Sequence, residues 1–393
     1  MRRAFIVIGA NYGDEGKGLV TYSIARQLAG RKLNILINGG AQRGHTVDLP
    51  DGRRHVFHHF GSAALAGANS CADGDFIVNP LLFMDEYEDL QRDFALMPRL
   101  FVCGDCRVTL PCDMMLGQII EENRGALRHG SCGLGIFETR LRYEKTGWAL
   151  VWGKLTELSK GEYAAYYRRI VSEYIPERLR SLGMGVSAEW RELLADKGVM
   201  ENSYEDLCSM RARTETYCDF TALAGAYDSL LFEAGQGLRL DEMNRADFPY
   251  LTPSRTVSLV SAKRIAALGE ETEATVLYVT RAYLTRHGAG PLPGECDKAR
   301  INPDMTDRTN VPNPHQQVLR YGMLDTVDLL RYTNDDLAES RSILPGLKSA
   351  VAVTHLNETD GQLAGDGDLK ELCSHFDESY LSFGPCELKR AEG

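Results

Sequence analysis

Gly9-Ala10-Asn11-Tyr12-Gly13-Asp14-Glu15-Gly16-Lys17-Gly18 is the stretch on which the reading of this chain turns. It follows an apolar run at residues 4–8 that reads as a buried strand. It precedes residues 19–28, whose apolar spacing reads as a helix. Four glycines in ten residues keep the turn free of side chains, so its backbone N–H groups can approach an anion. The start of the following helix adds the positive end of its dipole. Lys17 places a mobile cation among the glycines. Strand, glycine-rich turn and helix in this order are what a phosphate loop requires, although the spacing is not that of a Walker loop. Asp14 and Glu15 are unusual in such a loop, because a carboxylate repels phosphate. A carboxylate at its mouth points to a bound divalent metal, a general base, or both.

The 393 residues are 44% hydrophobic and 25% charged, an ordinary globular composition with ample material for a large core. A net charge of -11 argues against non-specific binding to nucleic acid or membrane and leaves room for a local basic pocket. No run approaches the roughly 20 apolar residues of a membrane helix. The ten cysteines include one Cys-x-x-Cys, Cys103 and Cys106, with no second pair at zinc-site spacing. They read as free thiols in a reducing cytoplasm.

Residues 32–38 read as a second buried strand, running into Gly39-Gly-Ala-Gln-Arg-Gly-His-Thr46, another glycine-rich loop. Strand, helix and strand with polar loops at the carboxyl ends open an α/β fold. Its central sheet is expected to be mostly parallel, with helices on both faces and ligands beyond the carboxyl ends. Two glycine loops there imply one site built from both. His45, between Gly44 and Thr46, is an imidazole beside a phosphate loop, able to protonate an oxygen near neutral pH. A helix is expected over 81–94 and a third glycine loop at Gly130-Ser-Cys-Gly-Leu-Gly-Ile136. A strand is expected within 148–159. Helices are expected over 163–182, 189–196 and 204–223, forming a helical excursion at about 155–228 within a single domain of residues 1–393. Tyr163, Tyr166, Tyr167 and Tyr174 read as core. Residues 229–237 read as a strand entering a glycine turn.

The first loop resembles the signature of the adenylosuccinate synthetases, Trp-Gly-Asp-Glu-Gly-Lys-Gly, with Tyr12 in place of Trp. Their second loop, Gly-Gly-His-Asn-Ala-Gly-His-Thr, is similar to residues 39–46. The third glycine loop resembles their Gly-Thr-Thr-Gly-x-Gly-Ile. Residues 233–237 resemble Glu-Gly-Ala-Gln-Gly, residues 248–254 Tyr-Pro-Tyr-Val-Thr-Ser, and residues 280–295 Thr-Arg-Val-Gly-Ala-Gly-Pro-Phe-Pro-Thr-Glu. The resemblance implies a ligase that joins aspartate to C6 of a 6-oxopurine nucleoside monophosphate through a 6-phosphoryl intermediate. It implies Asp14 as the base, His45 as the general acid and Lys17 on the transferring phosphoryl. Gly13, Glu15, Gly16, Gly18 and Thr46 would hold the triphosphate, and Asp14 with the Gly44 carbonyl would hold Mg²⁺. Gln42, Arg43, Ser131, Cys132, Gln236 and Thr252 fall on the monophosphate site. Arg140, Arg142 and Lys145 follow the third loop, where the family sends an arginine across a dimer interface; Arg142 is placed with the monophosphate. His55, His58 and His59 lie where the family has a strand with no metal role. A homodimer and a cytoplasmic location are the family precedent.

Two departures bear on specificity. Where the synthetases have Leu-Thr-Lys-Leu-Asp, with the Asp reading guanine, this chain has Val353-Thr354-His355-Leu356-Asn357. An amide has one acceptor and also donates, which suits the donor and acceptor of adenine better than the two-donor edge of guanine. The donor is therefore expected to be ATP or dATP, its base held by His355, Asn357, Ser382 and Gly384, the last two in a segment similar to the family's Ser-Thr-Gly-Pro. In place of the family's run of arginines for aspartate stand Asn313, His315, Gln316 and Gln317, with Arg320 aligned and Arg308 nearby. Together these changes resemble a bacteriophage branch, the N6-succino-2-amino-2'-deoxyadenylate synthases, which act on dGMP for 2-aminoadenine DNA. That branch often has a smaller residue in place of the loop Asp. Retention of Asp14 keeps IMP with GTP, the ordinary reaction, as the alternative. An inactive nucleotide-binding protein is the more distant one.

Overall fold

Ten strands make the central sheet of the computed structural model, which describes residues 1–145, 147–269, 271–305 and 318–391. Numbered along the chain, they are β1 (Arg2–Gly9), β2 (Lys32–Leu36), β3 (Asn69–Ala72), β4 (Leu100–Cys103), β5 (Glu215–Tyr217), β6 (Ser229–Gly237), β7 (Thr272–Arg281), β8 (Lys348–Thr354), β9 (Glu378–Leu381) and β10 (Lys389–Arg390). Their order is β10-β9-β8-β7-β1-β6-β2-β3-β4-β5. Only the β9–β10 pair is antiparallel.

Strands of a parallel sheet covered on both faces read as continuous apolar runs, and β1 does. Its side chains alternate between two cores with the period of two that a strand imposes. Phe5 and Val7 pack with Val20, Ile24 and Ala25 of helix α1 (Lys17–Gln27) and with Leu231 and Leu277. Ala4, Ile6 and Ile8 face the other core with Ile35, Phe232, Val276 and Tyr278. Each fully buried aliphatic side chain contributes about 1.5–3 kcal/mol.

β1 is also the switch point of the sheet. Helix α1 carries the chain from β1 past β6 to β2, whereas β6 leads across β1 to β7. The register of β1 against β6 runs evenly to Val7 and Glu233, then jumps to Gly9 and Gly237. The sheet therefore opens at its carboxyl end where the loops after β1, β2 and β6 diverge, which is where ligands bind in such sheets.

The region 148–225 differs from the sequence expectation in two places. Residues 148–159 hold the short helix Trp152–Leu155 rather than a strand, anchored by the fully buried Trp152, whose Nε1 donates to Thr216 Oγ1 at 2.9 Å. The helix expected over 204–223 is divided into Lys197–Arg211 and Phe220–Gly225, and β5 lies between them as the end strand of the sheet, paired with β4. Tyr163, Tyr167 and Tyr174 are buried in a common core, with Tyr166 packed against it. Glu86 accepts the backbone N–H groups of His58, His59 and Phe60, so the histidine-rich stretch is organised by a buried carboxylate. Among the described residues no cluster of three or more His, Cys, Asp or Glu could hold a metal alone. No described helix is long and apolar enough to cross a membrane.

Candidate active site

The loops at the switch point touch backbone to backbone. A Cβ on Gly18 would lie 2.5 Å from the Thr46 carbonyl oxygen, and one on Gly237 would lie 2.3 Å from that of Asn11. The first loop is therefore clasped between the second loop and the turn after β6, which is why no side chain fits at these positions. Lys17 opens α1, with Gly16 before it at φ 90°. Lys17 is buried, and burial lowers its pKa against the pull of Glu15, Asp14 and Glu233.

The two loop carboxylates face different ways. Glu15 folds under the loop: Oε1 accepts from the Asn11 N–H at 2.5 Å, and Oε2 lies 3.8 Å from Lys17 Nζ. Burial, opposed by Lys17, pushes Glu15 up to about 7. Its carbonyl accepts from Thr354 Oγ1, so Glu15 braces the loop from inside. Asp14 stands at the mouth with φ 58° and is ion-paired to Arg281, at 2.7 Å between Oδ2 and Nη2.

His45 opens the hairpin His45–Asp48 and Arg54–Phe57, which carries it over α1. Its Nδ1 lies 2.5 Å from Glu233 Oε1. Glu233, in β6, is fully buried and also accepts from the Ser62 N–H and hydroxyl, with Arg43 Nη2 at 3.3 Å. Against its own burial, Arg43 and His45 hold Glu233 well below the usual carboxylate range. An ionised Glu233 can only accept, so the Nδ1 of His45 carries the proton and Nε2 is left as the end able to exchange one. Burial, reinforced by Arg43 and opposed by Glu233, pushes His45 down to about 3. Thr46 Oγ1, Gln42 Oε1, and Nε and Nη1 of Arg43 are buried with no hydrogen-bond partner among the described residues. Buried polar atoms of this kind are rare unless a ligand or water completes them.

The segment expected to hold the donor base lies beside the first loop, joined to it through Thr354. The turn Leu356–Glu358 carries an exposed Asn357, and His355 precedes it at φ 60°. The Leu356 N–H donates to the Ser382 carbonyl, and Ser382 Oγ donates to that of Gly384, which joins the two segments into one wall. Near Asn38, Ser254 and Arg140 a cleft adjoins the second loop. Gln236, at φ 66°, lies against Gly13, and the Thr252 N–H donates to the Leu240 carbonyl. The third loop is pinned by Glu121, whose Oε2 accepts from the Gly130 N–H at 2.9 Å and the Ser131 N–H at 3.5 Å; Cys132 is half-buried beside them.

Arg142 is not brought to this site. It is fully buried, and its five N–H donors go to Asp113, Trp148, Tyr166 and Val108. Breaking a buried pair leaves an uncompensated charge, so Arg142→Ala is expected to cost roughly 3–5 kcal/mol of stability. A urea-unfolding midpoint that stays put would contradict this structural role. Arg320 is forked onto Glu295, with Nη1 on the carbonyls of Gly288 and Gly290. Asn313, His315, Gln316, Gln317 and Arg308 lie outside the described residues.

Glu233 and Arg281 are the residues that sequence reasoning passed over. A carboxylate inside an apolar strand was the signal for the first, and an arginine closing β7 for the second. Mg²⁺ commonly takes one or two carboxylates and completes its shell with phosphate oxygens and water. Asp14 and the exposed backbone of Gly44, on two loops in contact, fit an ion of that kind, which is held jointly with a phosphate rather than caged by protein.

A family model for adenylosuccinate synthetase matches residues 6–336. The adenylosuccinate synthetase of Synechococcus sp. strain RCC307 is 31% identical over 401 residues, spanning 97% of this chain and 83% of that protein. The fully ligated adenylosuccinate synthetase from Plasmodium falciparum shares the fold with a TM-score of 0.68 at 18% identity, over 99% of this chain and 88% of that one. The succinoaminodeoxyadenylate synthetase of cyanophage S-2L, bound to dGMP and dATP as an energy donor, shares it with a TM-score of 0.64 at 16% identity, over 100% and 96%.

Proposed function

The chain belongs to the adenylosuccinate synthetase family of C–N ligases, and from that premise we propose that it joins L-aspartate to C6 of dGMP at the expense of ATP or dATP. The product is N6-succino-2-amino-2'-deoxyadenylate, as in the bacteriophage branch. The observation that carries the donor assignment is the exposed Asn357 on a turn beside the phosphate loop, where the family's Asp reads guanine. The cyanophage enzyme with bound dGMP and dATP lends the acceptor its precedent. The retained Asp14 favours a second reading, IMP as acceptor.

In the proposed reaction Asp14 takes the N1 proton of the purine, and O6 attacks the γ-phosphate. Lys17 and the N–H groups of the first loop hold the transferring phosphoryl, in a loop braced by Glu15 from within and by Arg281 from outside. His45, oriented by Glu233, protonates or polarises the same oxygen. The aspartate amine then displaces the 6-phosphate, and the new C–N bond replaces the C–O bond. Mg²⁺, held by Asp14 and the Gly44 carbonyl, would supply charge neutralisation on the phosphates. Gln42, Arg43, Ser131, Cys132, Gln236 and Thr252 serve the monophosphate in this proposal, and Asn313, His315, Gln316 and Gln317 with Arg320 serve aspartate. By family precedent the enzyme acts in this proposal as a homodimer in the cytoplasm.

A turnover assay crossing IMP and dGMP with GTP and ATP tests both substrates at once. Turnover of dGMP with ATP or dATP supports the proposal, and turnover confined to IMP with GTP rejects it. The Asn357→Asp variant isolates the donor. The ratio of kcat/KM for GTP over ATP is expected to rise by about 10- to 100-fold, the worth of one bidentate base contact. An unchanged ratio would remove Asn357 from base reading.

A further inference from the structure

Asp14 is held in place from outside its own loop. At φ 58° a non-glycine residue sits in the left-handed region, at a cost of about 1–2 kcal/mol that neighbours must offset. Arg281, the last residue of β7, holds it by two atoms: Nε donates to the Asp14 carbonyl at 2.5 Å and Nη2 to Oδ2 at 2.7 Å. One planar group thus fixes both the backbone and the carboxylate. Its third contact leads away from the loop, from Nη1 to the Tyr283 hydroxyl at 2.9 Å. Tyr283 is buried, and its hydroxyl donates in turn to Glu358 Oε2. Glu358 closes the turn that carries Asn357. The ring of His355, at the start of that turn, stands edge-on to Tyr283 at 6.0 Å.

We infer that Arg281 is a positioning residue for Asp14, and that the path Asp14–Arg281–Tyr283–Glu358 couples the phosphate loop to the donor-base turn. The inference rests on the proposed reading of Asp14 as base and Asn357 as base reader. The bonds in this path run in one direction, from guanidinium to hydroxyl to carboxylate, because the single proton of the Tyr283 hydroxyl is committed to Glu358. A base seated on the turn fixes Glu358, and through it the guanidinium that orients Asp14. Linkage makes the effect reciprocal, so a triphosphate seated in the first loop steadies the base turn. Phosphoryl transfer is thereby favoured once the whole donor is bound.

Inorganic tripolyphosphate with Mg²⁺, which has no base, separates the two ends. Amide hydrogen exchange is followed in the unmodified protein and in Tyr283→Phe, each with and without this probe. Slowing at Gly16–Gly18 is expected in both proteins. Slowing at residues 356–361, by about threefold or more, is expected only in the unmodified protein. Slowing at Gly16–Gly18 without transmission to the turn, or equal transmission in Tyr283→Phe, overturns the coupling and leaves the proposed function standing. No slowing at Gly16–Gly18 overturns both. For the positioning role, Arg281→Ala is expected to lose about 100-fold in kcat with donor KM changed less than about threefold, and millimolar guanidinium is expected to restore about tenfold. A kcat within about threefold of the unmodified protein, or no restoration by guanidinium, overturns it.

Discussion

Asp14→Asn is expected to lower kcat by about three orders of magnitude while leaving the nucleotide KM values within a few-fold. The substitution is nearly isosteric, and asparagine tolerates the left-handed backbone of this position better than most residues. Its amide oxygen can still accept from Arg281, so the clamp and the fold are kept. What is lost is the only group at the mouth of the loop proposed to take the purine N1 proton, together with the anionic ligand proposed for Mg²⁺. The measurement is aspartate-dependent phosphate release in a single turnover, with a melting temperature taken on the same sample. A near-normal rate from a normally folded variant would refute the assignment. Glu15 cannot stand in, because its carboxylate is buried beneath the loop and committed to the Asn11 N–H.

His45→Ala is expected to cost about 10²- to 10⁴-fold in kcat, the range of a positioned acid. Burial, then Arg43, push His45 down to about 3, so in the ligand-free protein the imidazole is neutral at pH 7. The Nδ1 proton faces Glu233, and a neutral ring therefore has none to give at Nε2. Burial and neighbouring cations disfavour the imidazolium, and an anion placed beside them favours it. Donor phosphates arriving next to Lys17 and Arg43 should therefore raise the His45 pKa. Binding of MgATP at pH 7 is expected to take up protons, seen as a calorimetric enthalpy that varies with the ionisation enthalpy of the buffer. Proton uptake should disappear in His45→Ala. If the unmodified protein takes up none, His45 does not serve as an acid.

The sheet and its site were legible to different depths. Residues 4–8 and the glycine loop after them declare a strand, an anion-binding turn and a helix, because all three depend on local pattern. Thus the α/β class and the positions of Asp14, Lys17 and His45 at one end of the sheet follow from short stretches. β5 falls within an expected helix because three residues cannot display a period, and only pairing with β4 makes Glu215–Tyr217 a strand. Glu233 and Arg281 went unassigned because their partners are remote in sequence. His45 lies 188 positions from Glu233, and Asp14 lies 267 from Arg281. Arg142 misled for the opposite reason. Its place after a glycine loop looks like an outward cation, whereas Asp113, on a neighbouring helix, draws it wholly inward.

The backbone contacts among the first, second and β6 turns have a bearing on how such an enzyme can change its substrates. Where Gly18 meets Thr46 and Gly237 meets Asn11, neither glycine can gain even a methyl group without displacing the backbone that faces it. The loops proposed to carry phosphoryl transfer are therefore constrained together at these contacts. The turn bearing Asn357 stands at the rim, solvent-facing, where one side chain can be exchanged without disturbing that interlock. With Asn357 reading the base as proposed, a lineage moving from one purine donor to another would accumulate its differences there and leave the interlocked loops as it found them.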